Sequence, residues 1–230
     1  MDKRSICYLF GAGEYYIDSV NLKSADLIVA VDGGLLWLKE RSIVPNLIVG
    51  DFDSISEGSV PPYTLEAPGQ QHNADIITLS AEKDDTDMAA ALSEAWERGC
   101  RIFHIFGGTG GRLDHTIANI QLLADIAVKG GRCYLFDRNT VVTAIHNDRI
   151  TFPATASGTL SVFSHTDIST GVYENGLMYP LTDATLHNTT PLGVSNEFAG
   201  LQGSVSVESG TLIIFLPKDI KLNELAYELK

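Results

Sequence analysis

An α/β domain built on a doubly wound, mainly parallel sheet, followed by an all-β sandwich, is the fold class this sequence predicts. Three observations lead there. Six short runs rich in β-branched and aromatic residues alternate with helical patterns through the first 136 residues. Beyond about residue 145 the helical patterns give way to period-two alternation broken by Gly and Asn. Four loops of unusual glycine or aspartate content follow successive strand-like runs. Strands alternating with covering helices build a parallel sheet, whose ligands collect at the carboxyl ends of the strands.

The strand-like runs are "ICYLF" (6–10), "DLIVAV" (26–31), "NLIVG" (46–50), "IITL" (76–79), "IFHIF" (102–106) and "CYLF" (133–136). Among the helical patterns, "LLWLKE" follows Gly34. Residues 87–98 carry Met88, Ala91, Leu92, Ala95 and Trp96 on one stripe, the spacing of an amphipathic helix. A third helix over 114–128 sets Ile117, Ile120, Leu123 and Ala124 on one side. Strands of the second domain are read in "GTLSVFSHT" (158–166), "GVYENGLMYPL" (171–181) and "GSVSVESGTLIIFLP" (203–217). The last of these reads as a hairpin about Ser209 and Gly210, and "LNELAYELK" as a closing helix. The domains are placed at 1–147 and 148–230.

Composition narrows the function. In 230 residues, 44% are hydrophobic and 20% charged, an ordinary balance for a globular chain with a sizeable core. No apolar stretch is long enough to span a membrane and no signal peptide is read, so a cytoplasmic protein is expected. The formal net charge of −13, with no basic cluster beyond the "DKR" start, argues against nucleic acid or an anionic membrane as partner. Cys7, Cys100 and Cys133 form no CxxC and read as buried small hydrophobes.

The chemistry concentrates in the four loops. Asp32, Gly33 and Gly34 follow the second strand; Asp51 and Asp53 follow the third. Side chains two apart on a strand share a face, so Asp51 and Asp53 aim two carboxylates at one point; a divalent cation, a basic side chain or plain solvent at a loop would relieve their repulsion. "KDDTD", with Asp84, Thr86 and Asp87, opens the amphipathic helix; its plain reading is an N-cap and a first-turn carboxylate. Gly107, Gly108, Gly110 and Gly111 with Arg112 precede the next helix. Backbone N–H groups of such a loop approach phosphate closely, and a guanidinium adds a fork for its oxygens. Asp114 stands in that helix's first turn, while His115 and Asn119, four apart, are read as structural. Together the carboxylates form an oxygen-rich cluster suited to Mg²⁺, which takes few protein carboxylates plus substrate phosphates. Mg²⁺-dependent phosphoryl or nucleotidyl chemistry is the local inference.

A strand ending in DxD resembles the haloacid-dehalogenase-like phosphatases, in which the first Asp, here Asp51, is a covalent nucleophile. "DFDSI" lacks their DxDG[TV] form, and "GGTGGRLDH" matches none of their later motifs. The set "VDGG", "PNLIVGDFDSI", "DDTDMAAAL", "FGGTGGRLDHTIANI" and "PLGVSNEF", in that order over residues 26–216, resembles the thiamine pyrophosphokinases. The resemblance implies transfer of an intact pyrophosphoryl group from ATP to the thiamine hydroxyl, giving thiamine diphosphate and AMP. It implies Asp51, Asp53 and Asp87 as Mg²⁺ ligands. Asp32, Gly33, Gly34, Asp84, Thr86 and the Gly107–Arg112 loop would hold ATP, and Asp114 would orient or deprotonate the hydroxyl. It further implies a homodimer whose site is shared between subunits, with Tyr179, Ser195 and Asn196 on thiamine. The acidic motif departs from the Asp/Gln-rich version frequent among relatives. A non-catalytic nucleotide or thiamine sensor is the other class, disfavoured by the full set of carboxylates.

Overall fold

A computed structural model describes residues 6–17, 20–23, 26–50, 74–78 and 85–228. Asp51, Asp53 and Asp84 lie outside the described residues. By its contacts the chain divides into two compact units, residues 1–119 and 120–230.

The first unit contains strands β1 (Ile6–Phe10), β2 (Leu27–Val31), β3 (Leu47–Gly50), β4 (Asp75–Thr78) and β5 (Ile102–Phe106). These pair in parallel in the order β5-β1-β2-β3-β4. Helix α1 (Gly34–Glu40) connects β2 to β3, and α2 (Asp87–Glu97) leads to β5. Helix α3 (Leu113–Val128) begins in this unit and ends in the second. Leu9, Phe10, Val29, Ala30, Leu47, Ile48, Phe103 and Ile105 are fully buried, the unbroken apolar character of strands covered on both faces. The predicted stripe of α2 packs inward through Met88, Ala91, Leu92 and Ala95. Its N-cap is Thr86, whose hydroxyl accepts from the Ala89 N–H at 3.2 Å, rather than an aspartate.

Strand order creates the feature that matters most. From β1 the chain steps outward on one side through β2, β3 and β4, then returns to place β5 on the other side of β1. The carboxyl ends of β1 and β5 therefore flank a topological switch point, where connections leave in opposite directions and a crevice opens. Glycine is required close by. A Cβ on Gly34 would overlap the Phe10 carbonyl oxygen, so only glycine lets α1 start against the end of β1.

The second unit contains β6 (Arg132–Phe136), β7 (Thr140–His146), β8 (Arg149–Phe152), β9 (Thr159–Ser164), β10 (Ile168–Asn175), β11 (Leu181–His187), β12 (Gly193–Glu197), β13 (Gly203–Ser206), β14 (Thr211–Pro217) and β15 (Ala226–Glu228). They form two antiparallel layers, β12-β9-β14-β7-β6 and β11-β10-β13-β8-β15. Ile145, Leu160, Val162, Leu212 and Ile214 from one layer meet Ile150, Phe152, Val172, Leu186 and Val205 from the other in one core. The expected α/β-then-sandwich architecture is what the chain adopts.

Three local expectations are corrected. Residues 203–217 are not a hairpin: β13 pairs with β10 and β8, while β14 pairs with β7 and β9 in the opposite layer. The turn at Ser209 and Gly210 carries the chain across the core, so Val205 and Leu212 bury from opposite sides. "LNELAYELK" forms a single 3₁₀ turn and then β15, which adds to β8. Tyr227 there meets the Tyr134 hydroxyl at 2.7 Å, a contact that a helix would forfeit. Ile117 is 52% exposed, because the first two turns of α3 turn His115, Ala118 and Asn119 toward a cavity instead.

Gly34→Ala is expected to destabilise the chain by about 3 kcal/mol, since the new methyl meets backbone that cannot rotate away. Urea denaturation checks this against Leu36→Ala, an exposed control two residues on, expected to stay within about 0.5 kcal/mol of wild type. Equal midpoints for the two variants would contradict the close approach.

Candidate active site

At the switch point lies a cavity of about 590 Å³. Its walls are the loop after β1 (Gly11–Glu14), the loop after β5 (Gly107–Arg112), Asp32 at the end of β2, and the N-termini of α2 and α3. The two loops are zipped together by backbone. Gly11 N–H donates to Phe106 O at 2.8 Å, Gly13 N–H to Gly107 O at 2.7 Å, and Glu14 N–H to Thr109 O at 2.8 Å. Such intimacy excludes side chains: a Cβ on Gly11 would stand 2.6 Å from Gly107 O, and one on Gly107 would stand 2.6 Å from Gly11 O.

Aromatic rings brace this arrangement. The Tyr15 hydroxyl donates to Gly11 O at 2.5 Å, and its ring stacks on Trp37 at 4.7 Å. Trp37 stacks in turn on Phe10, and Phe10 on Phe106. Burial pushes the Tyr15 phenol well above its ordinary range, so it remains a donor. From the other side Asn119, 6% exposed, donates its amide to Gly108 O at 2.7 Å. That bond fixes a carbonyl of the glycine loop from the helix behind it.

Most of the predicted nucleotide residues converge here. Asp32, Thr86, Asp87, Gly107, Gly108, Gly110, Gly111 and Arg112 all line the cavity. Asp32 adopts a left-handed backbone (φ 49°), its N–H donates to Val49 O, and its carboxylate lies against Gly50, the residue before Asp51. Gly33 and Gly34 do not line the cavity; they let α1 approach Ala12 and Phe10. His115 and Asn119, read from sequence as structural, both face the cavity. The Gly11–Glu14 loop was missed altogether. Its signal was "GAG" at the end of the first strand, and only the strand order shows that it adjoins the loop after β5.

Asp114 sits differently from its expected role. It does not line the cavity, and its carboxylate takes a two-pronged contact from Arg112, Nη2 to Oδ2 at 2.6 Å and Nε to Oδ1 at 3.2 Å. Hydrogen bonding to Arg112 holds its pKa down to about 2, which makes it a poor proton acceptor in this arrangement.

Electrostatics follow from the count. Glu14, Asp32 and Asp87 line the cavity against Arg112, itself paired with Asp114. A polyphosphate entering an acidic cleft requires cations, and hard carboxylate oxygens suit Mg²⁺. Among the described residues no group of three acidic, His or Cys side chains stands close enough to hold a metal ion; Asp51 and Asp53 lie outside them.

In the second unit the residues expected at thiamine are neighbours. Tyr179 is 63% exposed, and Ser195 is exposed with a left-handed backbone (φ 61°). Asn196 is buried, and its amide is fully engaged. Oδ1 accepts from Tyr179 N at 3.0 Å and Glu197 N at 2.8 Å; Nδ2 donates to Tyr179 O at 2.7 Å and Glu174 Oε2 at 2.6 Å. It therefore supports the Tyr179 segment from within and has no hydrogen-bonding capacity left for a ligand.

Burial raises the Glu174 carboxyl from 4.5 to about 7, and the Asn196 hydrogen bond opposes this only in part. Between those values the unfolded chain has released the proton that the folded chain retains. Stability therefore falls as pH rises from about 4.5 to 7. Glu174→Gln, which mimics the protonated form, is expected to gain on wild type by about 3 kcal/mol at pH 8 and by nothing at pH 4.5. Thermal melts of both proteins across this range check it; parallel curves would contradict the buried, uncompensated carboxyl.

Two family models cover most of the chain: the thiamin pyrophosphokinase catalytic domain matches residues 20–135 and the thiamin pyrophosphokinase vitamin B1 binding domain residues 147–212. The chain is similar to the thiamine pyrophosphokinase of Bacillus subtilis, at 31% identity over 84% of this chain and 88% of that one. The crystal structure of thiamine pyrophosphokinase from Bacillus subtilis superimposes with a TM-score of 0.80 at 28% identity, over 94% of this chain and all of that one. Thiamin pyrophosphokinase from Candida albicans shares the fold at 17% identity, with a TM-score of 0.74 over 95% and 90% of the two chains. Zipped glycine loops over an acidic cleft, a sandwich bearing the "GVSNEF" strand, and both family domains in sequence order agree: the chain belongs to the thiamin pyrophosphokinase family.

Proposed function

We propose that the chain transfers the pyrophosphoryl group of ATP to the hydroxyl of thiamine, yielding thiamine diphosphate and AMP. The observation that carries this reading is the switch-point cavity, walled by glycine-loop backbone and helix N-termini, within a chain matching both domains of the family. Little covalent chemistry is needed from the protein in such transfers; alignment and neutralisation of charge do most of it. The family match favours neither a covalent aspartyl phosphatase nor a non-catalytic sensor.

In this reading, residues 1–147 bind ATP and metal, and 148–230 bind thiamine and form the dimer. Asp87, with Asp51 and Asp53, holds Mg²⁺, which neutralises the polyphosphate when bound. Asp32, Gly33, Gly34, Asp84, Thr86 and the Gly107–Arg112 loop form the ATP site, where loop N–H groups and the Arg112 fork engage phosphate oxygens. Asp114, ion-paired with Arg112, would orient that guanidinium toward the phosphates. Tyr179 offers an exposed ring to the cationic heterocycle, and Ser195 contacts the aminopyrimidine with Asn196 fixing its place from behind. A homodimer with the site shared between subunits, in the cytoplasm, completes the proposal. Among the described residues no helix is long and apolar enough to cross a membrane.

Incubation with ATP, Mg²⁺ and thiamine, followed by chromatography of nucleotides and thiamine esters, is expected to give AMP and thiamine diphosphate in equal amounts. Both should depend on thiamine and on metal. Asp53→Asn and Asp87→Asn are each expected to lower turnover by at least about 100-fold while the folded chain's circular dichroism is unchanged. ADP with thiamine monophosphate, phosphate release without thiamine, or full activity in either variant would contradict the reading.

A further inference from the structure

Glu174, near the end of β10, is fully buried, and among the described residues no cationic side chain accompanies it. Its Oε2 accepts a hydrogen bond from Asn196 Nδ2 at 2.6 Å, and its Oε1 has no hydrogen-bond partner among the described residues. Room for Oε1 exists because residue 193 is glycine: a Cβ there would stand 3.0 Å from it. Burying an acid with one oxygen unpaired costs free energy.

What it fixes is the orientation of an amide. An asparagine side chain can turn either its oxygen or its nitrogen toward a neighbour, and the neighbours decide. An accepting carboxyl oxygen at 2.6 Å selects the N–H₂ end, in agreement with the Tyr179 and Glu197 backbone groups. The Asn196 oxygen is thereby turned to the backbone N–H groups of Tyr179 and Glu197, and the second amide hydrogen to Tyr179 O. Both backbone polar groups of Tyr179 are thus held by one side chain. Met178 N–H donates to Glu197 O at 2.9 Å, and Leu177 bridges to Phe198, so residues 177–179 lie locked along residues 196–198. The left-handed turn at Ser195 precedes this clamp directly, its N–H held by Ser161 Oγ at 3.0 Å.

We propose that Glu174 is a positioning residue for thiamine, setting the Asn196 amide so that the Tyr179 ring and the Ser195 turn stand ready to receive the heterocycle. This rests on the reading of Tyr179 and Ser195 as thiamine contacts. The acceptor oxygen, rather than the charge, is what the clamp needs, so glutamine serves and a shorter acid does not. Glu174→Asp withdraws the oxygen by one methylene.

The test is steady-state kinetics of the full chain with ATP, Mg²⁺ and thiamine, on wild type, Glu174→Gln and Glu174→Asp, each verified as folded by its melt. Glu174→Asp is expected to raise the thiamine KM on the order of ten-fold, the loss of one hydrogen bond to an ionisable partner, with kcat and the ATP KM within about two-fold of wild type. Glu174→Gln is expected to keep the wild-type thiamine KM. An unmoved thiamine KM in Glu174→Asp overturns the proposal. So does an equal rise in both variants, or a parallel fall in kcat. Glu174→Gln, the isostere of the protonated acid, keeps the test decisive should the aspartate variant fail to fold: a raised thiamine KM there overturns the proposal and a normal one supports it. A wild-type chain that makes no thiamine diphosphate overturns the underlying reading, and the proposal with it; wild-type turnover with unmoved variants overturns the proposal alone.

Discussion

Three backbone hydrogen bonds from the loop after β1 to the end of β5 and the loop that follows it hold the candidate active site together. They exist because β5 lies beside β1 although 90 residues lie between Gly11 and Ile102 in sequence, a pairing set by sheet order. They are possible because Gly11 and Gly107 face each other without side chains. Everything else in the first unit can be read as support: the Tyr15–Trp37–Phe10–Phe106 stack beneath, Asn119 behind, Asp32 against Gly50 at the side. A loop pinned at this many points offers its remaining N–H groups in a fixed direction. Preorganised dipoles of that kind need no rearrangement as charge shifts during phosphoryl transfer.

The second unit solves a different problem by a similar device. Its exposed ring, Tyr179, sits on a segment with no regular pairing of its own between β10 and β11. A buried amide supplies the backbone bonds that a strand partner would otherwise provide, and a buried acid sets that amide. In both units, then, buried polar groups fix the backbone geometry of exposed segments. The acidic cleft imposes a complementary demand. With Glu14, Asp32 and Asp87 lining the cavity, any anionic ligand there needs cations beside it, which hard carboxylate oxygens can hold.

Much of this was legible in the residues. The strands and helices of the first unit fall within a residue or two of their apolar runs, because a strand covered on both faces leaves a local signature. The glycine loop with Arg112, the DGG turn and Thr86 with Asp87 were legible because each sits at a strand end or helix start. What was not legible depended on pairing across the sequence. "GAGE" became part of the site only through strand order. The supposed hairpin at 203–217 has alternation correct for strands, but alternation says nothing about which layer each strand joins. Asn196 was found by resemblance, but not its bonds: its amide holds the backbone N–H and C=O of Tyr179, a pairing across 17 residues that no local pattern signals. Glu174 carried no signal at all, since an acid in a period-two strand reads as solvent-facing until the partner layer buries it.

The most direct measurement is a crystal structure of the chain with Mg²⁺ and a non-hydrolysable ATP analogue. The account expects the polyphosphate in the switch-point cavity, with phosphate oxygens on the N–H groups of residues 107–112 and the metal on Asp87 together with Asp51 and Asp53. It expects the Gly11–Phe106, Gly13–Gly107 and Glu14–Thr109 bonds to persist unchanged. An analogue bound elsewhere, or one seated only after these three bonds have parted, would contradict the claim that the zipped loops are the preformed site.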